Sequence, residues 1–259
     1  MQSLPDPSVS TVLLLSAFVH GLFGFGFPLV ATPLLTMLMG LREAILLTLI
    51  PTICINVVSI FGERNRREAL RLYWPVPAFT IIGSLTGTQL LLRVDPEPFR
   101  GLLALVLIAY LLADLLHASK RTRHVPKWGL ALLGLCLGLL AGVVNIFAPI
   151  IVAFALFTRM RTDLMVAAFN MSFLSSKTGQ LLGFLAADAL DPLLLIQASA
   201  ALPLVIAVLW VGIRLRRRLH PQRYLGLLRA GLWIMALALL WDPLRAALGA
   251  WTDWSAVPS

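Results

Sequence analysis

Lys177 stands in a long apolar stretch, Leu164 to Ala187, that contains no Asp or Glu to neutralise it. A charge near a bilayer midplane costs roughly 2.5–3.5 kcal/mol on insertion scales, so such residues face a cavity, a partner or a bound ion. An anion site would give this lysine its chemistry. The competing reading is a lysine nearer an interface whose stem snorkels outward. Asn170 lies seven residues earlier, on the same helical face, and Ser172, Ser175, Ser176, Thr178 and Gln180 surround the lysine with further polar groups. His20, beside the glycine-rich run that starts at Gly21, is a candidate proton carrier, with a purely structural histidine as the alternative.

The elements that position these residues are apolar segments at about 11–39, 43–61, 73–92, 99–117, 128–157, 163–187, 191–213 and 224–247. The first would make a straight helix of roughly 43 Å against a hydrocarbon core of ~30 Å. It and the segment 128–157 both carry breakers at mid-length: Gly21, Gly24, Gly26 and Pro28 in one, Gly138, Gly142, Asn145 and Pro149 in the other. The two breaks align at an offset of 121 residues, Gly21 with Gly142, Gly24 with Asn145 and Pro28 with Pro149. Broken helices in a membrane are tolerated where the freed backbone lines a cavity or is buried in protein. Each proline suits the first position of a new half-helix. The free N–H groups and positive dipole end of that half-helix, placed near the midplane, would suit an oxyanion. Gly24 and Gly26 would permit positive φ and close approach of an anion to the backbone. At the same offset Asn56 corresponds to Lys177, on a segment that also carries Thr48 and Thr52. It reads as a hydrogen-bonding counterpart, with interhelical adhesion as the alternative.

Loop charges bear on how the halves are inserted. Loop 62–71 holds Arg64, Arg66, Arg67 and Arg71, whereas its counterpart 183–192 holds Asp188 and Asp191 and no base. Loop 93–100 is balanced, whereas its counterpart 214–221 holds Arg214, Arg216, Arg217 and Arg218. Under the positive-inside rule the halves are therefore inverted relative to each other. Inversion requires an odd number of crossings per repeat. It follows if each long segment is a helix–break–helix hairpin that enters and leaves on one face. That arrangement puts 16 of the 21 Lys and Arg residues in the cytoplasm and four outside, with Lys177 in the membrane. The expected fold is an all-α polytopic membrane protein of two inverted repeats, each a broken-helix hairpin plus three transmembrane helices. The first repeat spans 1–117, a basic cytoplasmic linker 118–127, and the second repeat 128–259. Both termini are expected outside the cytoplasm.

Composition agrees with a membrane chain: 59% of residues are hydrophobic and 13% charged, with a mean hydropathy of +0.89, against about 25% charged in soluble domains. The net charge of +9 sits in short inter-helix loops and reads as orientation, so no nucleic-acid partner is expected. The partners expected are a small anionic substrate and the lipid bilayer, with a homo-oligomer left open. Cys54 and Cys136 lie far apart in apolar runs and the four histidines lack metal spacing, so neither a metal nor a cofactor is expected. The N-terminal M-Q-S-L-P-D-P has no basic n-region, and no cleavable signal peptide is expected. No P-loop is present for direct ATP drive.

The run G-L-F-G-F-G-F-P-L-V-A-T-P-L-L at 21–35 resembles the glycine-rich first motif of the sulfite exporter (TauE/SafE-type) permeases, with Pro33 as its following proline. The run G-L-L-A-G-V-V-N-I-F-A-P at 138–149 is similar to that family's degenerate repeat, and F-N-M-S-F-L-S-S-K-T-G-Q at 169–180 to what some members carry after it. Phe27 and Pro28 stand where other members have glycines. The resemblance covers nearly the whole chain and implies transport of sulfite or an organosulfonate across the bacterial inner membrane. The expected binding residues are Gly24, Gly26, Pro28, Asn56, Asn145, Pro149, Asn170 and Lys177. An intramembrane enzyme would need a nucleophile with its base, paired acids or metal ligands at depth. A membrane scaffold or assembly factor would need neither a buried lysine nor paired breaks. A secondary transporter is the reading that uses both.

Overall fold

The computed structural model of the chain describes residues 5–94 and 125–218, with the isolated positions 226 and 230. The apolar segment expected at 99–117, all of 224–247 but positions 226 and 230, most of loop 93–100 and linker 118–127, and both chain ends lie outside the described residues. Among those described there are nine helices and no strand: α1 (Pro7–Phe23), α2 (Phe27–Met39), α3 (Leu41–Gly62), α4 (Arg66–Tyr73), α5 (Pro75–Leu91), α6 (Lys127–Val144), α7 (Ala148–Phe157), α8 (Thr162–Ala186) and α9 (Pro192–Arg216). Within the described residues α3, α6 and α9 are each long and apolar enough to cross a membrane.

Both over-long apolar segments are broken. Gly24 ends α1 in the left-handed region (φ 80°), with its N–H donating to His20 O at 2.6 Å. Gly26 (φ 101°) then starts α2. Asn145 ends α6 in the same conformation (φ 58°), with its N–H donating to Ala141 O at 3.0 Å. Asparagine is among the few residues other than glycine that visit this region routinely. Pro28 and Pro149 take the second helical position, one later than the sequence suggests. The N–H they lack is still one of the unpaired first-turn donors.

Loop 62–71 also differs from expectation, because it contains α4. Glu68 in its first turn and Arg71 in its last complement the helix dipole, and Ala69 is buried in a cluster with Leu164, Ala167 and Ala168 of α8. Arg161, just before α8, pairs with Glu68 at 3.0 Å on the surface.

Small residues set the helix contacts. Gly134, Gly138 and Gly142 of α6 meet the α5 backbone at Val76, Thr80–Gly83 and Ser84–Thr88 in turn, so the two helices run parallel. Gly179 and Gly183 of α8 meet Ile81–Leu85 and Leu85–Thr88, so α8 shares that direction. Gly21 of α1 meets Gly212 of α9. A side chain at these glycines would push the backbones apart, the usual reason for small residues between membrane helices. The C-terminal ends of α1, α3 and α9 meet at Gly24, Glu63 and Arg216, next to Val166 near the start of α8.

Candidate functional site: two helix breaks, each with a cation

The second break is organised by Asn145. Its αL backbone turns the carboxamide into the bundle between α3, α2 and α8. Asn145 Nδ2 donates to Thr32 Oγ1 (2.7 Å) and more weakly to Thr48 Oγ1 (3.4 Å). Its Oδ1 accepts from Lys177 Nζ (2.6 Å) and Gln180 Nε2 (3.2 Å). Lys177 Nζ also donates to Gln180 Oε1 at 2.6 Å, and Gln180 Nε2 donates to Ala141 O at 2.7 Å. Lys177 is 1% exposed, and no carboxylate among the described residues pairs with it. Its ammonium therefore rests on two neutral amide oxygens, which orient the charge without neutralising it. An ammonium has three N–H groups, so one remains for a further acceptor. Burying an unpaired charge is costly, and a bound anion would offset that cost.

The first break is built on His20, one turn before the cap. Phe27 N–H, the first residue of α2, donates to His20 Nδ1 at 3.4 Å. That places the ring proton on Nε2, which faces Asn170 Oδ1 (3.1 Å) and Ser59 Oγ (3.2 Å). Asn170 Nδ2 donates to Gly24 O (2.6 Å) and Val166 O (2.7 Å). This histidine thus ties α1, α2, α3 and α8 together. Over Gly24 lies Arg216. Its Nη1 occupies the place a β-carbon on residue 24 would take, and its Nη2 pairs with Glu63 Oε1 at 2.6 Å. The side chains are 13% and 19% exposed, and Arg216 Nη1 has no hydrogen-bond partner among the described residues.

The sequence groups Asn170 with Lys177, but the fold assigns them to different breaks. Seven residues along α8 separate them by about 10 Å of helix rise. The two breaks nevertheless pack against each other, since Phe25 shares a buried cluster with Phe147 and Ala148, and Asn145 reaches Thr32 of α2. Helices α1 and α6 run 17 and 18 residues before they break. That is roughly 26 Å each. Gly24 lies where α3 and α9 end, while Asn145 reaches Thr48, in the first half of α3.

Asn56 lies between the breaks. On α3, Thr48 touches the second break and Ser59 the first, and Thr48, Thr52, Asn56 and Ser59 are all buried. Asn56 is fully buried, and neither its Nδ2 nor its Oδ1 has a partner among the described residues. Unpaired buried amide atoms cost about 1–3 kcal/mol each, and native folds rarely leave them without a reason.

Sequence reasoning missed Arg216, Glu63, Ser59 and Thr32. Arg216 is one of four arginines in a basic run that reads as loop charge, and only tertiary packing sets it apart from Arg214, Arg217 and Arg218. The remaining arrangement offers a buried lysine, a partly buried arginine, a hydrogen-bonded imidazole and several amides, with Glu63 as the one acid in contact with them among the described residues, which suits anion binding. A model of the sulfite exporter TauE/SafE family matches residues 9–240. Comparison with curated proteins gives no match, and comparison with solved structures gives none.

Proposed function

This chain belongs to the sulfite exporter TauE/SafE family, a family of membrane transporters of sulfur anions, and from that premise we propose how it works. It is a secondary exporter of sulfite or an organosulfonate in the cytoplasmic membrane. It operates by alternating access between two inverted repeats, 1–117 and 128–259, joined by the linker 118–127. Lys177 is the observation that carries this reading. A fully buried ammonium held, among the described residues, by Asn145 and Gln180 has one N–H and a whole charge left for an anionic ligand. Asn145 fixes the lysine, Asn56 offers an unpaired amide to the anion, and the half-helix starts at Phe27–Pro28 and Ala148–Pro149 supply positive dipole ends. Asn170 and His20 hold the first break, where His20 is the candidate carrier of a coupling proton.

The inverted arrangement is supported by helix direction. Helices α1 and α3 run toward the Glu63–Arg216 end, whereas α6 and α8, their partners at the 121-residue offset, run away from it; α5 runs away, whereas its partner α9 runs toward it. The contacts follow the same exchange, with α5 packed on α6 and α9 packed on α1. Single cysteines in 62–71 should resist an impermeant thiol reagent in intact cells, while those in 183–192 should react. The reverse pattern would remove the inversion.

The functional test is flux of radiolabelled sulfite, taurine and sulfoacetate from proteoliposomes. Wild-type protein is expected to release at least one of them, and Lys177→Met none. Absence of flux for every sulfur anion, with correctly inserted protein, would end the transporter reading. Equal flux by Lys177→Met would leave transport standing and remove this lysine from it.

A further inference from the structure

We propose that the first break is a second anion-binding station, built on Arg216 and masked by Glu63, through which the transported oxyanion passes. The proposal rests on the anion-transporter reading above. Arg216 is more than a loop charge, because its guanidinium is packed into the break and takes the place of a side chain over Gly24. Its geometry is incomplete as an ion pair. A guanidinium presents two parallel N–H groups that a carboxylate commonly takes with both oxygens. Here the recorded contact is Nη2 with Glu63 Oε1 alone, and Nη1 is buried with no partner among the described residues. A sulfite or sulfonate head carries three oxygens and can take both N–H groups of the fork, which a single carboxylate oxygen does not do.

Glu63 is then a tethered stand-in for the substrate. It neutralises Arg216 in the unloaded break, and an arriving oxyanion displaces it. Exchanging one anion for another keeps the partly buried guanidinium paired throughout. The route onward lies along the contact between α3 and α8. Val166, beside Gly24, and Lys177 are 11 residues apart on α8, about 16 Å of rise. Asn56, with both amide atoms unpartnered among the described residues, lies between the two breaks on α3. Arg216, Asn56 and Lys177 thus form a sequence of anion-recognising groups from one end of the bundle toward the other.

The test is sulfite binding to purified protein by calorimetry, with thermal unfolding as the folding control. Glu63→Gln removes the competing charge and keeps the side-chain length. It should tighten sulfite binding about tenfold. Glu63→Asp, which keeps the charge but withdraws it from Arg216, should give a smaller gain. The gain should vanish in Glu63→Gln/Arg216→Gln. Unchanged or weaker binding in folded Glu63→Gln and Glu63→Asp would overturn the station, as would a gain that survives loss of Arg216. If Glu63→Gln does not fold, Glu63→Asp alone decides by the same criterion. Wild-type protein that binds no sulfur anion would bring down the transporter reading itself. Normal wild-type binding, with Lys177→Met impaired and both Glu63 variants silent, would bring down only this inference.

Discussion

Positions 24 and 145 occupy the same place in the two broken segments and adopt the same left-handed cap, yet their interiors are filled in opposite ways. Asn145 fills its own break, and its side chain holds Lys177. At Gly24 the side-chain space is taken by Arg216, which arrives from α9. One break therefore presents its cation through an amide on the cap, and the other against bare backbone. The breaks also share a feature three residues earlier. Gly21 is pressed against the α9 backbone at Gly212, and Gly142 against the α5 backbone at Gly87. The lesson is that the close helix crossing must be kept in both halves to make the fold. The group at the cap differs between them, because a lysine held by an amide and an arginine over bare backbone each place one positive charge there.

The shared feature should break hardest. Gly142→Leu would drive a side chain into the backbone of Ser84–Thr88, and Gly21→Leu into Leu209–Ile213. Neither contact can relax by rotamer change, so each variant is expected to lose most folded protein, beyond the ~1–3 kcal/mol of ordinary overpacking. Size-exclusion profiles of detergent extracts would show it. Monodisperse, wild-type-like Gly142→Leu would mean that the crossing is not a packing requirement.

The differing feature is tested at the lysine. Lys177→Met should weaken anion binding by roughly a hundredfold or more while the thermal midpoint holds or rises, because an unpaired buried charge is removed. Asn145→Asp should act from the other side. A carboxylate on Lys177 would raise the midpoint and also abolish anion binding, since the charge is then satisfied internally. Anion binding that survives in Asn145→Asp would show that Lys177 is not the group the ligand meets.

Gly24→Ala comes next. A β-carbon there meets Arg216 Nη1 and Val166, and positive φ adds about 1–2 kcal/mol. The arginine end can swing away, so a loss of roughly 2–3 kcal/mol is expected, smaller when Arg216→Gln is already present. Strict additivity of the two changes in thermal or denaturant unfolding would show that Arg216 does not fill the cap. Gly26→Ala should cost least, about 1–2 kcal/mol from φ alone, since the space beside it is open apart from Leu29 at 3.7 Å.

His20→Gln tests coupling more than stability. It keeps hydrogen-bonding atoms but cannot carry a proton, so gradient-driven flux should fall while sulfite exchange at equal pH persists. Unaltered gradient-driven flux would leave His20 as a structural link between α1, α2, α3 and α8.

Much was legible in the chain itself because each signal is local. Segment length against bilayer thickness, glycines and prolines at mid-segment, and a lysine with no acid near it need no knowledge of packing. The 121-residue offset that pairs Gly24 with Asn145 is likewise written in residue order. Local signals also found Lys177 and Asn145, but they set Asn170 beside Lys177 because both share a helical face. Only the tertiary structure could separate them, since a shared face does not reveal which neighbour covers each turn of α8. It was also packing alone that gave His20 its partners, left Asn56 without any among the described residues, and drew one arginine of a basic run into the first break. A side chain's charge is a property of its residue type, whereas its burial and its unpaired atoms belong to the neighbours that folding brings.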